Sequence, residues 1–311
     1  MLIWLDFVSK KRPFACSWLD FCRAKYMTLG GQIEAMLQTE LRLGGRAAQQ
    51  YALLSAVERK DMVVDGLPCQ VRFNPGRVRS VMADVSAEAL AQRACFLCPD
   101  GLEEKQQTFV WDHYFIRVNP FPIFSRHFTI SSSVHEPQRL DGHYEAMLRL
   151  AEALPDYVVF YNGPRCGASA PDHMHFQAVP IRELPLQIWC DEHIGLTDTC
   201  SLHKLPLFCP SAYLISSPTG AGMDEQRKQL MAQMGRDINV ITWVYGGHFR
   251  SLIIFRSKSR PDCFYAENPA ERILFSPATV EMAGIGIVAS RDAFEKLNPD
   301  TFYRIIQEVS I

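Results

Sequence analysis

The sequence predicts an α+β protein in which antiparallel sheets are flanked by helices and arranged as two related halves. Three observations point there. Two hairpin signals lie far apart in the chain, over 62–73 around Asp65-Gly66 and over 238–256 around Gly246-Gly247; each is an apolar run broken by a turn pair that tolerates positive φ. Helical periodicity precedes each hairpin, over 32–43 and 47–57 before the first and over 224–233 before the second. Each half also closes on a helix, so the element order repeats although no close sequence repeat is visible.

Taken in order, residues 1–30 show no clear period before the Gly30-Gly31 break and read as an N-terminal extension, with poor order as one outcome. In the first helical stretch Ile33, Met36, Leu37 and Leu41 share a face. After the first hairpin, 73–80 is a strand end running into an arginine-bearing turn. Arg77 there is either a solvated turn residue or a phosphate contact, since guanidinium forks suit phosphate oxygens. A short helix over 87–92 leads to Cys95-Phe96-Leu97-Cys98. Strands are expected over 114–119 and 126–130, a helix over 141–154 stopped by Pro155, and a buried strand over 157–161. The proline-rich stretch 184–223 reads as a connector with some strand near 211–216. A strand over 285–289 and a terminal helix from Asp300, burying Phe302, Ile305, Ile306 and Val309, complete the chain. The expected units are thus 31–183, a connector over 184–223, and 224–311.

The 311 residues are 48% hydrophobic and 21% charged with a net charge of −2. This suits a globular chain and argues against a broad surface for nucleic acid. No apolar run reaches the ~18 residues of a membrane helix, and Lys10-Lys11-Arg12 follow the apolar start in the reverse order of a secretory signal. A cytoplasmic protein is expected. Ten cysteines without a dense framework then read as thiols or metal ligands. The Cys95/Cys98 pair supports a zinc half-site, a redox dithiol or simple packing.

The most informative stretch is 162–179, which contains His173-Met174-His175-Phe176-Gln177-Ala178-Val179. In an extended strand His173, His175 and Gln177 project from one side while Met174 and Phe176 enter the core. Neutral imidazole is a nucleophile toward phosphorus, and the glycine-rich turn before it offers backbone amides to phosphate oxygens. Gln177 can donate a hydrogen bond but cannot titrate.

These residues resemble the His-φ-His-φ-Gln-φ-φ signature of the transferase and phosphorylase branch of the histidine-triad (HIT) superfamily; its hydrolase branch has a third His where this chain has Gln177. The segments 118–130 and 276–284 are similar to those of GDP-hexose phosphorylases. The resemblance implies a HIT-like fold and His175 as a nucleophile that takes a nucleotidyl group from a nucleotide or nucleotide-sugar substrate. Gln177 would hold the phosphoryl group, and Asn162, Gly167 and Ser169 would line its site. Phosphate or a sugar phosphate would then accept the nucleotide, with Arg256, Lys258 and Arg260 as contacts, or as a solvated basic strand end. Resemblance to galactose-1-phosphate uridylyltransferases implies a structural Zn2+ on Cys95, Cys98, His135 and His173, with His127 as the fallback ligand. GDP-hexose phosphorylases lack the Cys pair, so the two likenesses differ over zinc.

The favoured expectation is phosphorolysis of a nucleoside diphosphate sugar through nucleotidyl-His175. The alternatives are a dinucleoside polyphosphate (Ap4A-type) phosphorylase and a catalytically idle nucleotide-binding regulator. A nucleic-acid or membrane partner is not expected; a homodimer is compatible with the sequence.

Overall fold

The first hairpin forms around a turn in which Asp65 and Gly66 both take positive φ, joining β1 (Glu58–Val64) to β2 (Leu67–Phe73). In the computed structural model residues 27–78, 85–101 and 106–311 are described; positions 1–26 of the expected extension and 79–80 of the arginine turn lie outside them. β2 pairs in parallel with β12 (Ile285–Val288), so the two ends of the described chain build one small sheet.

The remaining strands are β3 (Phe109–Trp111), β4 (Tyr114–Val118), β5 (Phe128–Ser132), β6 (Tyr157–Asn162), β7 (His175–Pro180), β8 (Ser201–Lys204), β9 (Ala212–Ser217), β10 (Ile238–Tyr245) and β11 (His248–Phe255). They form a nine-stranded antiparallel sheet in the order β3-β4-β5-β7-β6-β10-β11-β9-β8. β6 pairs with β10 from Asn162↔Asn239 to Val159↔Thr242, so the two halves share one sheet.

On one face of that sheet lie helices α1 (Leu29–Leu43), α2 (Gly45–Ala52), α4 (Tyr144–Ala153) and α6 (Met223–Met234). Ile33, Leu37, Tyr144 and Met147 pack there against Val159, Phe176, Val240 and Ile253. The small sheet covers the other face with α5 (Pro185–His193), α7 (Thr279–Met282), α8 (Arg291–Lys296) and α9 (Pro299–Val309). Val64, Val71, Ile285 and Ile287 meet Phe160, Ile241 and Leu252 on this side. Burying one phenylalanine such as Phe176 contributes roughly 2–3 kcal/mol, so two such layers fix the strand register firmly.

The terminal helix buries Phe302, Ile305, Ile306 and Val309, as its 3.6-residue period requires. Asn298 caps it by accepting the Thr301 N–H at 2.9 Å. The helix expected from 141 starts at Tyr144, because Gly142 takes φ +86° and holds the preceding residues in a turn. The stretch 184–223 carries α5, β8 and β9. Its first proline sits at the first position of α5, where a missing N–H costs nothing. The helix α3 (Ala87–Ala91) leads toward the Cys-x-x-Cys turn.

Candidate active site and metal centre

The alternation in 173–179 sets the site. Met174, Phe176 and Ala178 are buried in the helix-side core, which turns His175 and Gln177 to the face under the small sheet. A cavity there is lined by His175 and Gln177 together with Asn162, Gly167, Ser169 and Arg77. Phe96, Leu97, Phe121, Phe160 and Val280 add apolar walls. Six of the nine residues expected at the catalytic and phosphate site are therefore brought together.

His175 is buried, and its Nδ1 lies 2.8 Å from the carbonyl oxygen of His173. A carbonyl can only accept, so Nδ1 carries the proton and Nε2 keeps its lone pair. Burial lowers the imidazole to about 4, against the bond to His173, so the ring is neutral at ordinary pH. What seats this residue leaves no mark in the local pattern of residues. Gln138, in a loop, accepts the His175 N–H at 2.7 Å and donates to the carbonyls of His175 and Asn162 at 3.0 and 2.9 Å. Its amide stands in for the missing rung where β6 and β7 diverge.

Asn162 is fixed in the same manner. Its Oδ1 accepts the Thr279 backbone N–H at 2.9 Å and the Asn239 amide at 3.2 Å. The backbone donor identifies that end as oxygen, which leaves the Nδ2 protons for the cavity side. Gln177 Oε1 lies 2.8 Å from His127 Nε2. Gly167 has φ +92°, and a Cβ there would come within 2.4 Å of the Ala278 Cβ, so no other residue fits between the turn and that segment. Arg77 donates to the Phe121 carbonyl at 2.7 Å, while its buried Nε has no partner among the described residues. Glu281 also lines the cavity; burial raises its carboxyl pKa although it accepts the Ala278 N–H.

Arg256 and Lys258 do not line the cavity. Arg256 is buried and spends its donors on the carbonyls of Val309, Pro277, Lys258 and Ser259 and on Asn239 Oδ1, at 2.8–3.2 Å. It therefore reaches the site through Asn239, which in turn holds Asn162. Lys258 pairs at the surface with Asp262 and Glu308, both at 2.6 Å. Arg260 donates to Ser276 and lies over the Phe264 ring.

Cys95, Cys98, His135 and His173 present ligand atoms that all lie within 4.8 Å of one another. His173 Nδ1 is 3.3 Å from Cys95 Sγ and 3.4 Å from Cys98 Sγ, and His135 Nδ1 is 3.4 Å from Cys98 Sγ. His173 Nε2 donates to the Ser132 carbonyl at 2.9 Å, which leaves the Nδ1 lone pair for the sulfurs. Partial burial opposes ionisation of Cys95, but the hydrogen bond to His173 and the backbone groups of Leu97 and Cys98 bring it down to about 6. Burial and the charge of Cys95 push Cys98 up to about 11. Two sulfurs and two imidazoles converging on one point fit a closed tetrahedral metal site. His127, the fallback ligand, is outside this group.

A family model described as a domain of unknown function, DUF4922, matches residues 36–180. No curated protein matches the sequence significantly. Among solved structures the chain is similar to yeast Ap4A phosphorylase Apa2 in complex with Ap4A, with TM-score 0.53 and 17% identity over 88% of this chain and 97% of that one. Apa2 in complex with AMP gives TM-score 0.52 and 16% identity over 89% and 96%. A GalT-like protein from Arabidopsis thaliana superposes more loosely, with TM-score 0.37 and 11% identity over 82% and 100%. The fold is therefore HIT-like, as the signature implies.

Proposed function

We propose that this chain is a nucleotidyltransferase that phosphorolyses a nucleoside phosphoanhydride through a covalent nucleotidyl-His175 intermediate. The observation that carries the proposal is the neutral His175 ring, held at Nδ1 by the His173 carbonyl with Nε2 left unprotonated, which lines the same cavity as Asn162 and Gln177. In the first step Nε2 attacks the α-phosphorus, the N–P bond forms, and the bond from that phosphorus to the bridging oxygen breaks. The leaving group departs as a phosphate ester and needs no proton. The proton stays on Nδ1, hydrogen-bonded to the His173 carbonyl, so the nucleotidyl-imidazole is cationic and retains good leaving-group character. In the second step an oxygen of inorganic phosphate or of a sugar phosphate attacks the same phosphorus, and the electron pair of the N–P bond returns to Nε2.

Side-chain amides oppose the charge that builds on the non-bridging oxygens. Asn162 supplies one such group and Gln177 a second. Arg77 would meet an outer phosphate, and the apolar walls a base or sugar. Cys95, Cys98, His135 and His173 would hold a structural zinc ion that pins the Cys-x-x-Cys turn to the strand entering the site. With four protein ligands that site has no open position for chemistry.

A nucleoside diphosphate sugar is the first substrate reading, resting on the signature and the segments around 118–130 and 276–284. A dinucleoside polyphosphate is the second, favoured by the fold match to a phosphorylase bound to Ap4A over nearly all of that chain. A panel of both substrate classes, incubated with the full chain and inorganic phosphate and read by chromatography, separates them. Release of a nucleoside diphosphate with a hexose 1-phosphate supports the first, and release of two mononucleotide products the second. Absence of phosphate-dependent turnover across the panel contradicts the phosphorylase reading.

A further inference from the structure

We propose that His127 is a positioning residue that fixes which end of the Gln177 amide faces the phosphoryl group, making Gln177 a hydrogen-bond donor in the transfer. The inference rests on the reading of the cavity as a nucleotidyl-transfer site. His127, at the entry to β5, is completely buried. Its Nδ1 lies 3.3 Å from the backbone nitrogen of Ile123. A backbone amide can only donate, so Nδ1 must carry a lone pair. The proton of the neutral ring then sits on Nε2.

That Nε2–H meets Gln177 at 2.8 Å, and only the oxygen end of an amide can accept it. A flipped Gln177 would set N–H against N–H inside a buried site, leaving two donors unsatisfied. The Gln177 Nε2 protons are thereby directed away from His127 and toward the cavity that His175 shares. Asn119 does not compete: its Nδ2 is 3.5 Å from the ring but donates to Thr129 Oγ1 at 3.0 Å.

The ring itself has little freedom. The Tyr51 hydroxyl lies 3.2 Å from the His127 backbone nitrogen and 3.0 Å from its carbonyl, and Asn119 N–H donates to that carbonyl at 2.9 Å. The imidazole packs beside Phe160 with ring centres 6.3 Å apart. Burial, with Arg77 adding its charge, lowers the ring to about 3 despite the bond to Gln177, so it stays neutral. An imidazolium would have to break the Ile123 bond. Sequence alone offered His127 only as a spare metal ligand; its partner is 50 positions away and was not visible from spacing.

Two measurements on the full chain test this. In long-range proton–nitrogen NMR of histidine-labelled protein, His127 should show a neutral ring protonated on Nε2, unchanged from about pH 5 to pH 9. A ring protonated on Nδ1, or on both nitrogens, overturns the proposal. In single-turnover labelling, His127→Leu should slow formation of nucleotidyl-His175 by roughly 10- to 100-fold. His127→Gln, which again offers an N–H, should recover most of that loss. Introduced into Gln177→Leu, His127→Leu should cost no more than about twofold further, because the residue acts through Gln177. A full additional loss in that background, or an unaltered rate in the single Leu variant, contradicts the proposal. A wild-type chain that takes no label overturns the transfer reading itself, on which the NMR result does not depend.

Discussion

Arg250 on β11 and His175 on β7 project from the same face of the nine-stranded sheet, linked through the opposed pairs Gln177↔Phe160, Phe160↔Ile241 and Trp243↔Arg250. Their surroundings differ. Arg250 donates to Asp191 at 3.0 Å and to the carbonyls of Cys190 and Ile194 at 2.8 and 2.6 Å. Asp191 also accepts from Trp243 and Gln187. Apart from Arg250 Nε, the polar atoms of this cluster are consumed inside it, and the pair is essentially unexposed. Around His175 the hydrogen bonds among the described residues anchor only the rear atom of each side chain: Nδ1 of His175, Oδ1 of Asn162 and Oε1 of Gln177. A closed cluster ties α5 to the sheet; an open one of similar burial is prepared for a ligand.

Breaking the closed cluster should have the largest effect on folding. Asp191→Ala strands the Arg250 charge and should cost about 3–5 kcal/mol in urea unfolding. The fraction that remains folded should still transfer at close to the wild-type rate. A normal melt together with lost activity would erase the distinction between the two clusters.

The Cys95/Cys98/His135/His173 group stands between these cases, open until a metal closes it. Protein purified without added metal should contain about one equivalent of zinc, absent in Cys95→Ser, with a lower thermal midpoint. A metal-free preparation with an unchanged midpoint contradicts the zinc assignment.

Asn162→Asp keeps the anchored oxygen but puts a second oxygen where the amide protons were. Labelling should fall by roughly 100-fold while stability changes little. Unchanged labelling would show that Asn162 belongs with the closed cluster.

The smallest effect concerns pH. The folded chain holds His127 neutral down to about 3, whereas an unfolded chain protonates histidine below about 6.5. The unfolded state therefore gains protons first, and stability is lost as pH falls from about 6.5 toward 3. His127→Gln should flatten this slope by at most about 1.4 kcal/mol per pH unit. An equal slope in the variant would show that the ring already protonates in the folded chain.

Much of the local structure was legible. The hairpins, the alternation over 174–178 and the apolar face of the last helix follow from short-range periodicity, but β7 begins at His175, and His173 lies in the bend ahead of it instead of in the expected strand. In 184–223 the strand expected near 211–216 is β9, whereas α5 and β8 were obscured because β8 is short and Pro185 sits at a permitted position. The parallel β2–β12 pair joins residues more than two hundred positions apart and leaves no local mark. In the site, residue types with intrinsic chemistry could be read from the chain. The groups that hold them could not: Gln138, Asn239 and Thr279 are ordinary polar residues whose role exists only once the chain is folded. Arg256 shows the reverse case, a residue with suitable chemistry whose donors the fold has already spent.

The most direct test is to trap the intermediate. The full chain is incubated with substrates labelled at the α-phosphate, quenched in base and mapped by mass spectrometry. The expected result is one acid-labile, base-stable nucleotidyl group on the peptide containing His175, absent in His175→Ala and discharged when inorganic phosphate is added. Label on another residue, equal label in His175→Ala, or phosphate-dependent turnover with no trapped nucleotide would contradict it.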